Sequence, residues 1–438
     1  MKSKVFIKNA VSSIPYSIGK YFTYIPFSWR LGTEYTKSKN NIISFERISK
    51  DEQLNYVVTN LNKIVKYATN NFDFYHDFYR EYGVLNKEIK YLDDFDKYPI
   101  LTKEKIRTHT ESFKGAMKIN TGGTSGEPFS FYIDENAFAR EWAYMHSIWE
   151  LKGYDKSYIK ITLRGKNLGK KNIVYNPVHN EFIINTYKSV ASFKNELLEL
   201  FSKHEIKYVH GYPSAIYEFF KDLESTVTKD EKIIIQKNII SCFFGSEFPM
   251  PNMTKYLADT WNLDYISWYG HSEMAILAYD EYKTNNYKPF MTYGYAEVIN
   301  NKLIGTSYNN FDMPLIKYDT GDLVEGKLQE NGLLDTFSVK EGREGDFIVD
   351  KNNKKIPLTA LIFGRHHKIF DFADFLQVEQ QSNNNIIFYI TLKNSNNIDL
   401  LNLDSYFDLS NVDIDYSFKI ITAPIRSKIG KMKLKINE

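Results

Sequence analysis

One cysteine, Cys242, stands in a chain of 438 residues, which excludes an internal disulfide and any zinc site built from several cysteines. That scarcity suits a reducing compartment. No run of about 18 apolar residues occurs, so a membrane-spanning helix is not expected. The N-terminal "MKSKVFIKNAVSSIPYSIGKYFTYIPFSW" is basic and aromatic but lacks the continuous apolar core of a signal peptide. An excess of one charge is missing too. Lys and Arg number 56 against 54 Asp and Glu, a net charge of +2, so no overall field draws in nucleic acid or an anionic membrane. No tandem repeat is visible. A cytoplasmic protein with neither a transmembrane segment nor a nucleic-acid partner is the expectation.

What is present describes a folded chain. With 43% hydrophobic and 25% charged residues the composition is globular, and the length calls for two or more domains. The aromatic stretch "IPYSIGKYFTYIPFSW" either rests on a membrane surface or a partner or wraps its own domain; the last is the expectation, because aromatic clusters usually pack internally. Apolar spacing predicts a helix over 51–80, and Thr102 starts another. Phe138, Trp142, Met145 and Trp149 form a stripe at i, i+4, i+7 and i+11, a long amphipathic helix that turns this face to the core and ends near Gly153.

Strands and helices then alternate. "YIKITLRG", "IKYVHGY", "NIISCFFG" and "DYISWYG" read as strands, with Ser214 capping the helix after the second and Pro251 opening the one after the third. Such βαβ units build a largely parallel sheet whose ligands sit at the carboxyl ends of the strands. Three loops fall there, "GYPS" (211–214), "GSEFP" (245–249) and "YGHSE" (269–273). After about residue 280 the pattern turns antiparallel, and the polar stretch 341–357 reads as an interdomain linker. The expected fold is α/β: a large N-terminal domain, 1–341, with βαβ-built sheets and helices, and a small α+β domain, 342–438.

Several constellations carry chemistry. "TGGTSG" (121–126) offers backbone N–H groups and the hydroxyls of Thr121, Thr124 and Ser125, an arrangement that suits phosphate oxygens. The Gly-Lys-Ser/Thr ending and following helix of the common phosphate loop are absent, and an ordinary turn is the alternative. Glu273 closes "YGHSE", where it opens a helix and either binds Mg²⁺ or answers the helix dipole. His271 beside it is a substrate contact or a plain loop residue. "YDTGD" (318–322) sets Asp319 and Asp322 around a glycine turn; a second Asp-Thr-Gly is lacking, so no aspartic-protease pair can form. "GREGD" carries Arg343, and the basic tail holds Lys431 directly after Gly430.

Taken in order, "TGGTSGEP", "GYPS", "GSE", "YGHSE", "YDTGD", "GREGD" and "SKIGK" resemble the successive signatures of the adenylate-forming ligase superfamily. The nearest branch is similar to phenylacetate–CoA ligases and their relatives encoded with capsular-polysaccharide genes, which the N-terminal stretch also resembles. The resemblance implies ATP, Mg²⁺ and, as one acceptor, coenzyme A. It implies activation of a small carboxylic or amino acid as an acyl-adenylate, and transfer to a thiol of coenzyme A or a carrier protein, or to an amino-sugar amine.

Carried over, Thr121, Gly122, Gly123, Thr124, Ser125 and Gly126 would hold the β- and γ-phosphates. Gly245, Ser246 and Glu247 would line the adenine, with Tyr269, Gly270, His271 and Ser272 beside it. Glu273 would take Mg²⁺, Asp322 the ribose hydroxyls, and Arg343 the domain junction. Lys431, on a mobile lid, would reach the α-phosphate as the catalytic residue, with Lys428 in reserve. His146, Trp149, His210 and Tyr212 are candidates for the acyl pocket, and each is equally a core residue. Three departures stand out: Glu127 where relatives often have lysine, Arg-Glu-Gly-Asp (343–346) where they commonly have Arg-x-Asp-Asp, and "MKLK" after Lys431 without the usual arginine. A nucleotide-binding scaffold without catalysis, and a transferase passing AMP to another acceptor, stay open as alternatives.

Overall fold

A computed structural model of the chain describes residues 14–121, 129–166, 168–339, 347–358, 361–362, 365, 367–381, 385–392, 399–425 and 434–436. Its centre is an eight-stranded sheet. Four strands run parallel in the order β3 (Ile159–Leu163), β6 (Ile206–Gly211), β7 (Ser241–Phe244) and β8 (Asp264–Gly270). Beyond β3 the sheet continues with β5 (Glu181–Ile184), parallel to it, and β4 (Ile173–Asn176), antiparallel; beyond β8 lie β9 (Leu277–Asp280) and β10 (Lys288–Pro289), both antiparallel. Every residue of β7 is buried, as a parallel strand covered on both faces must be.

The pleat sorts side chains between two cores. Val209, Cys242 and Phe244 face helices 194–203, 213–226 and 251–261, which press Leu200, Phe220 and Trp261 onto the sheet. Tyr208, Phe243 and Ile266 face the other way, toward Met145, Ile148 and Trp149 of the helix Ala137–Glu150. Trp149 lies nearly parallel to Phe243, 4.7 Å between ring centres.

A third core joins the N-terminal helices to two antiparallel units. One is the hairpin β1 (Met117–Thr121) and β2 (Phe129–Ile133), whose ends pair Thr121 with Phe129. The other is the sheet β11 (Gly294–Ile299), β12 (Lys302–Ser307), β13 (Tyr318–Leu328) and β14 (Leu334–Val339). A fourth core belongs to the C-terminal residues: the hairpin β15 (Phe347–Val349) and β16 (Lys355–Pro357), and the sheet β19 (Asp415–Ile421), β18 (Asn385–Leu392), β17 (Ala373–Gln380) and β20 (Lys435–Ile436). Tyr187 of the body is built into that core, and Arg365 stacks its guanidinium over the Tyr187 ring at 4.0 Å. Among the described residues, no helix is long and apolar enough to cross a membrane.

Five local expectations change. The helix expected over 51–80 is two, Lys50–Asn71 and Asp73–Glu81, because Phe72 takes extended backbone and packs on Tyr67 and Phe113. Phe138 is 46% exposed; Ala137 and Ala139 hold the buried positions of that first turn. Ser214 is no cap: Pro213 occupies the first helical turn, and Tyr212 precedes it. Residues 347–357 are a hairpin with Ile348 and Ile356 fully buried, so the linker expected over 341–357 is structured there; 341–346 lie outside the described residues. Glu273 sits in a turn leading to β9, not at a helix start.

Candidate active site

The carboxyl ends of β6, β7 and β8 align: Gly211 pairs with Phe244, and Phe244 with Ser267. The three predicted loops leave the sheet side by side. "GYPS" and "GSE" are tied together, since the Ser214 hydroxyl donates to Glu247 Oε2 at 2.5 Å and the Ser214 N–H donates to the same oxygen at 3.2 Å. Gly245 lies against the Trp268 indole so closely that a Cβ there would stand 2.2 Å from Cζ2. Only glycine fits that contact.

A second knot joins "YGHSE" to "YDTGD". Tyr269 Oη donates to Asp322 Oδ2 at 2.6 Å, and Tyr318 Oη donates to Glu273 Oε1 at 3.1 Å. Asp322 reaches the cleft because β13 is irregular where it pairs with β12, with Gly321 at φ +82°. Glu273 is buried, with His271 Nδ1 3.3 Å from Oε2 and Lys103 Nζ 3.7 Å from Oε1. Burial alone would raise its pKa, but His271 and Lys103 outweigh burial and hold the carboxyl at about 2. Burial and the neighbouring Asp322 carboxylate push the Tyr269 phenol well up, so it stays a donor.

Lys103 and Tyr318 were not singled out from sequence. A lysine in the first turn of a helix opposes the macrodipole, a small local conflict that hints at another task. Here the task is visible. The Lys103 ammonium bridges Glu273 and the ring of Phe129, 5.7 Å from its centre. Phe129 begins β2, so the strand leaving the hydroxyl-rich loop is anchored next to Glu273. Thr121 ends β1, while Gly122, Gly123, Thr124, Ser125 and Gly126 lie outside the described residues, as do Arg343, Lys428 and Lys431.

His146, Trp149 and His210 gather behind the site. Trp149 is 5.6 Å from His146, 5.0 Å from His210 and 6.3 Å from Trp268, centre to centre. Burial, reinforced by nearby cations, keeps both imidazoles neutral, and His146 Nδ1 is 2.8 Å from Tyr35 Oη. His146 Nε2, Trp149 Nε1 and His210 Nδ1 are buried with no hydrogen-bond partner among the described residues. Tyr212 stands apart under the Arg164 guanidinium, 5.3 Å from its ring centre.

No family model matches the chain. Protein CapK of Staphylococcus aureus is 23% identical over 399 residues, which cover 85% of this chain and 86% of CapK. Among solved structures, 2-hydroxyisobutyryl-CoA ligase with 2-HIB-AMP and CoA in the thioesterification state superposes with a TM-score of 0.53, at 12% identity over 89% of this chain and 90% of that one. Its open conformation with the same ligands gives 0.51, over 89% and 93%. The chain has the fold of an adenylate-forming ligase. That adenylate-forming fold accounts for a sheet-built body carrying a separate C-terminal core. Gly245, Ser246 and Glu247, together with Tyr269, Gly270, His271, Ser272, Glu273 and Asp322, occupy the sheet's carboxyl edge and the β13 irregularity facing it.

Proposed function

We propose that the protein is an ATP-dependent, AMP-forming ligase acting on a small carboxylic or amino acid. The observation that carries this reading is the convergence of three distant motifs on Glu273: its own "YGHSE", Tyr318 of "YDTGD", and, through Lys103, the Phe129 end of the glycine-rich hairpin. A carboxylate oxygen of the acid attacks the α-phosphorus of ATP; the bond to the bridging oxygen breaks and pyrophosphate leaves with the electron pair. The acceptor thiol or amine then attacks the acyl carbon, gives up its proton, and AMP departs. We take the acceptor to be coenzyme A, a carrier thiol or an amino sugar, and the setting to be surface-polysaccharide biosynthesis, as the N-terminal resemblance and the similarity to CapK suggest.

In this mechanism the hairpin loop covers the β- and γ-phosphates, the Tyr269–Asp322 pair orients the ribose, and the loop at Gly245 receives the adenine. Lys431 arrives with the C-terminal unit to neutralise charge as it builds on the α-phosphate. Closure also excludes water from a mixed anhydride that hydrolyses readily. Among the described residues no cluster of three metal-ligating side chains exists. A single carboxylate, Glu273, suits Mg²⁺ carried in on the phosphates of ATP, where the ion would shield the leaving pyrophosphate. His146, Trp149, His210 and Tyr212 are proposed to line the acyl pocket. The three ring nitrogens there that lack a partner among the described residues favour an acid with hydrogen-bonding groups of its own.

The test is acid-dependent exchange of pyrophosphate into Mg·ATP over pooled carboxylic and amino acids, with Lys431→Ala beside the wild type. Exchange with some pool, abolished in the variant while nucleotide still binds, is expected. Tight ATP binding with no exchange in any pool would leave a nucleotide-binding scaffold, and full exchange in the variant would move catalysis elsewhere.

A further inference from the structure

The segment from Tyr16 to Trp29 has two faces. One is fastened to the edge of the eight-stranded sheet. Tyr16 meets Tyr175 edge-on at 4.9 Å and His204 at 4.3 Å, Phe27 packs on His146 at 4.5 Å, and Arg30 Nη1 donates to the Val178 carbonyl at 2.6 Å. The opposite face carries Ile18 and Tyr21, each 59% exposed, Tyr24 at 81%, Ile25 at 36% and Trp29 at 82%. The Tyr21 and Tyr24 rings are stacked with centres 6.4 Å apart. Aromatic side chains of this size leave on the order of 400 Å² in contact with water here, about the extent at which a surface patch marks an interaction site.

In sequence, the stretch that carries the patch has charge of one sign. Residues 1–33 hold Lys2, Lys4, Lys8, Lys20 and Arg30 and no acid; all 54 acidic residues of the chain lie from Glu34 onward. The chain's near-zero net charge hides this local asymmetry. We propose that this face rests on an anionic phospholipid surface, as a peripheral attachment that leaves the cleft at β6–β8 in water. Tyrosine and tryptophan, apolar in body and polar at the tip, are the residues that settle at such an interface, and flanking cations add attraction to acidic headgroups. A second copy of the chain fits less well, because a two-fold contact would set the same cations against themselves.

The experiment is co-sedimentation of the full chain with phosphatidylcholine vesicles, with and without phosphatidylglycerol, comparing wild type with a Tyr24→Ser/Trp29→Ser variant. Both positions point into solvent, so the variant should keep its melting temperature and its pyrophosphate exchange. Wild type is expected to partition onto the anionic vesicles, to be released by salt, and to lose at least about tenfold in partitioning on double substitution. Absence of vesicle binding, or undiminished binding by the variant, overturns the proposal. So does a concentration-dependent dimer, seen by sedimentation velocity, that the variant dissolves without any lipid effect. None of these outcomes depends on the adenylation reading, which the exchange assay reports separately.

Discussion

Replacing Glu273 by glutamine isolates the electrostatic knot at the mouth of the sheet. The amide keeps the shape and can still accept from Tyr318, but it removes the charge that His271 and Lys103 face at 3.3 and 3.7 Å. A carboxyl held at about 2 instead of the ordinary 4.5 adds on the order of 3 kcal/mol to folded-state stability at neutral pH. Lys103 is partly exposed and can rehydrate, so the loss on substitution should fall near 2–3 kcal/mol, below that of a wholly buried pair.

The sign fixes the pH window. A depressed carboxyl contributes fully above its unfolded value and loses that contribution as pH falls through the interval down to about 2. Urea unfolding of wild type and Glu273→Gln should therefore differ most at pH 6–7. The gap should narrow by roughly 1.4 kcal/mol for each pH step below 4.5. A gap that stays constant from about pH 6 to pH 3 would refute the assignment of that energy to the Glu273 charge.

Two further outcomes follow from the packing. Gly245→Ala would place a methyl 2.2 Å from Trp268 Cζ2, so the indole must move; a loss of about 1–3 kcal/mol and a shift in tryptophan emission are expected, and a wild-type melt would sink the close-contact argument. Lys354 donates to the Lys188 carbonyl across the seam between the body and the C-terminal core, and burial lowers its ammonium to about 8, against partial compensation from Asp222, Asp350 and Glu218. A depressed lysine penalises the docked state below that value and relieves it as pH rises toward 10.5. Hydrogen exchange in residues 347–357, corrected for intrinsic rates, should slow from about pH 7.5 to 9.5 in wild type and show no such trend in Lys354→Met. Equal trends in the two proteins would dissociate Lys354 from docking.

The parallel core was legible because its signals agree: buried apolar strands, helices of matching length, and Pro251 at a helix start all point one way. The hairpin β4–β5 was not legible, because "NIVYNPVHNEFII" reaches its buried state only through pairing at the sheet edge. Phe72 misled for a related reason. Nothing in the local spacing shows that its ring gains more from Tyr67 and Phe113 than from prolonging a helix. At the site, motif order brought together loops that the structure does join, Tyr269 with Asp322 and Ser214 with Glu247. The convergence on Glu273 escaped, since Lys103 and Tyr318 come from segments that read as a helix start and a turn.

Backbone strain marks how these loops work. Ser246 and Met274, at φ +68° and +56°, hold the left-handed region with ordinary side chains, each immediately beside a site glutamate. Such conformations cost on the order of 1–3 kcal/mol apiece and persist only where the surroundings over-determine them. Here the constraint is plain: Glu247 is fixed by Ser214, and Glu273 by Tyr318 with Lys103 and His271. Loops pinned in this way are already set for their ligand and have little freedom to close over it. A reaction that needs both an open cleft and a sealed one must then draw its motion from elsewhere. In the mechanism we propose, that motion would come from the unit carrying β17–β20, which meets the body through Tyr187, Arg365 and the Lys354–Lys188 contact.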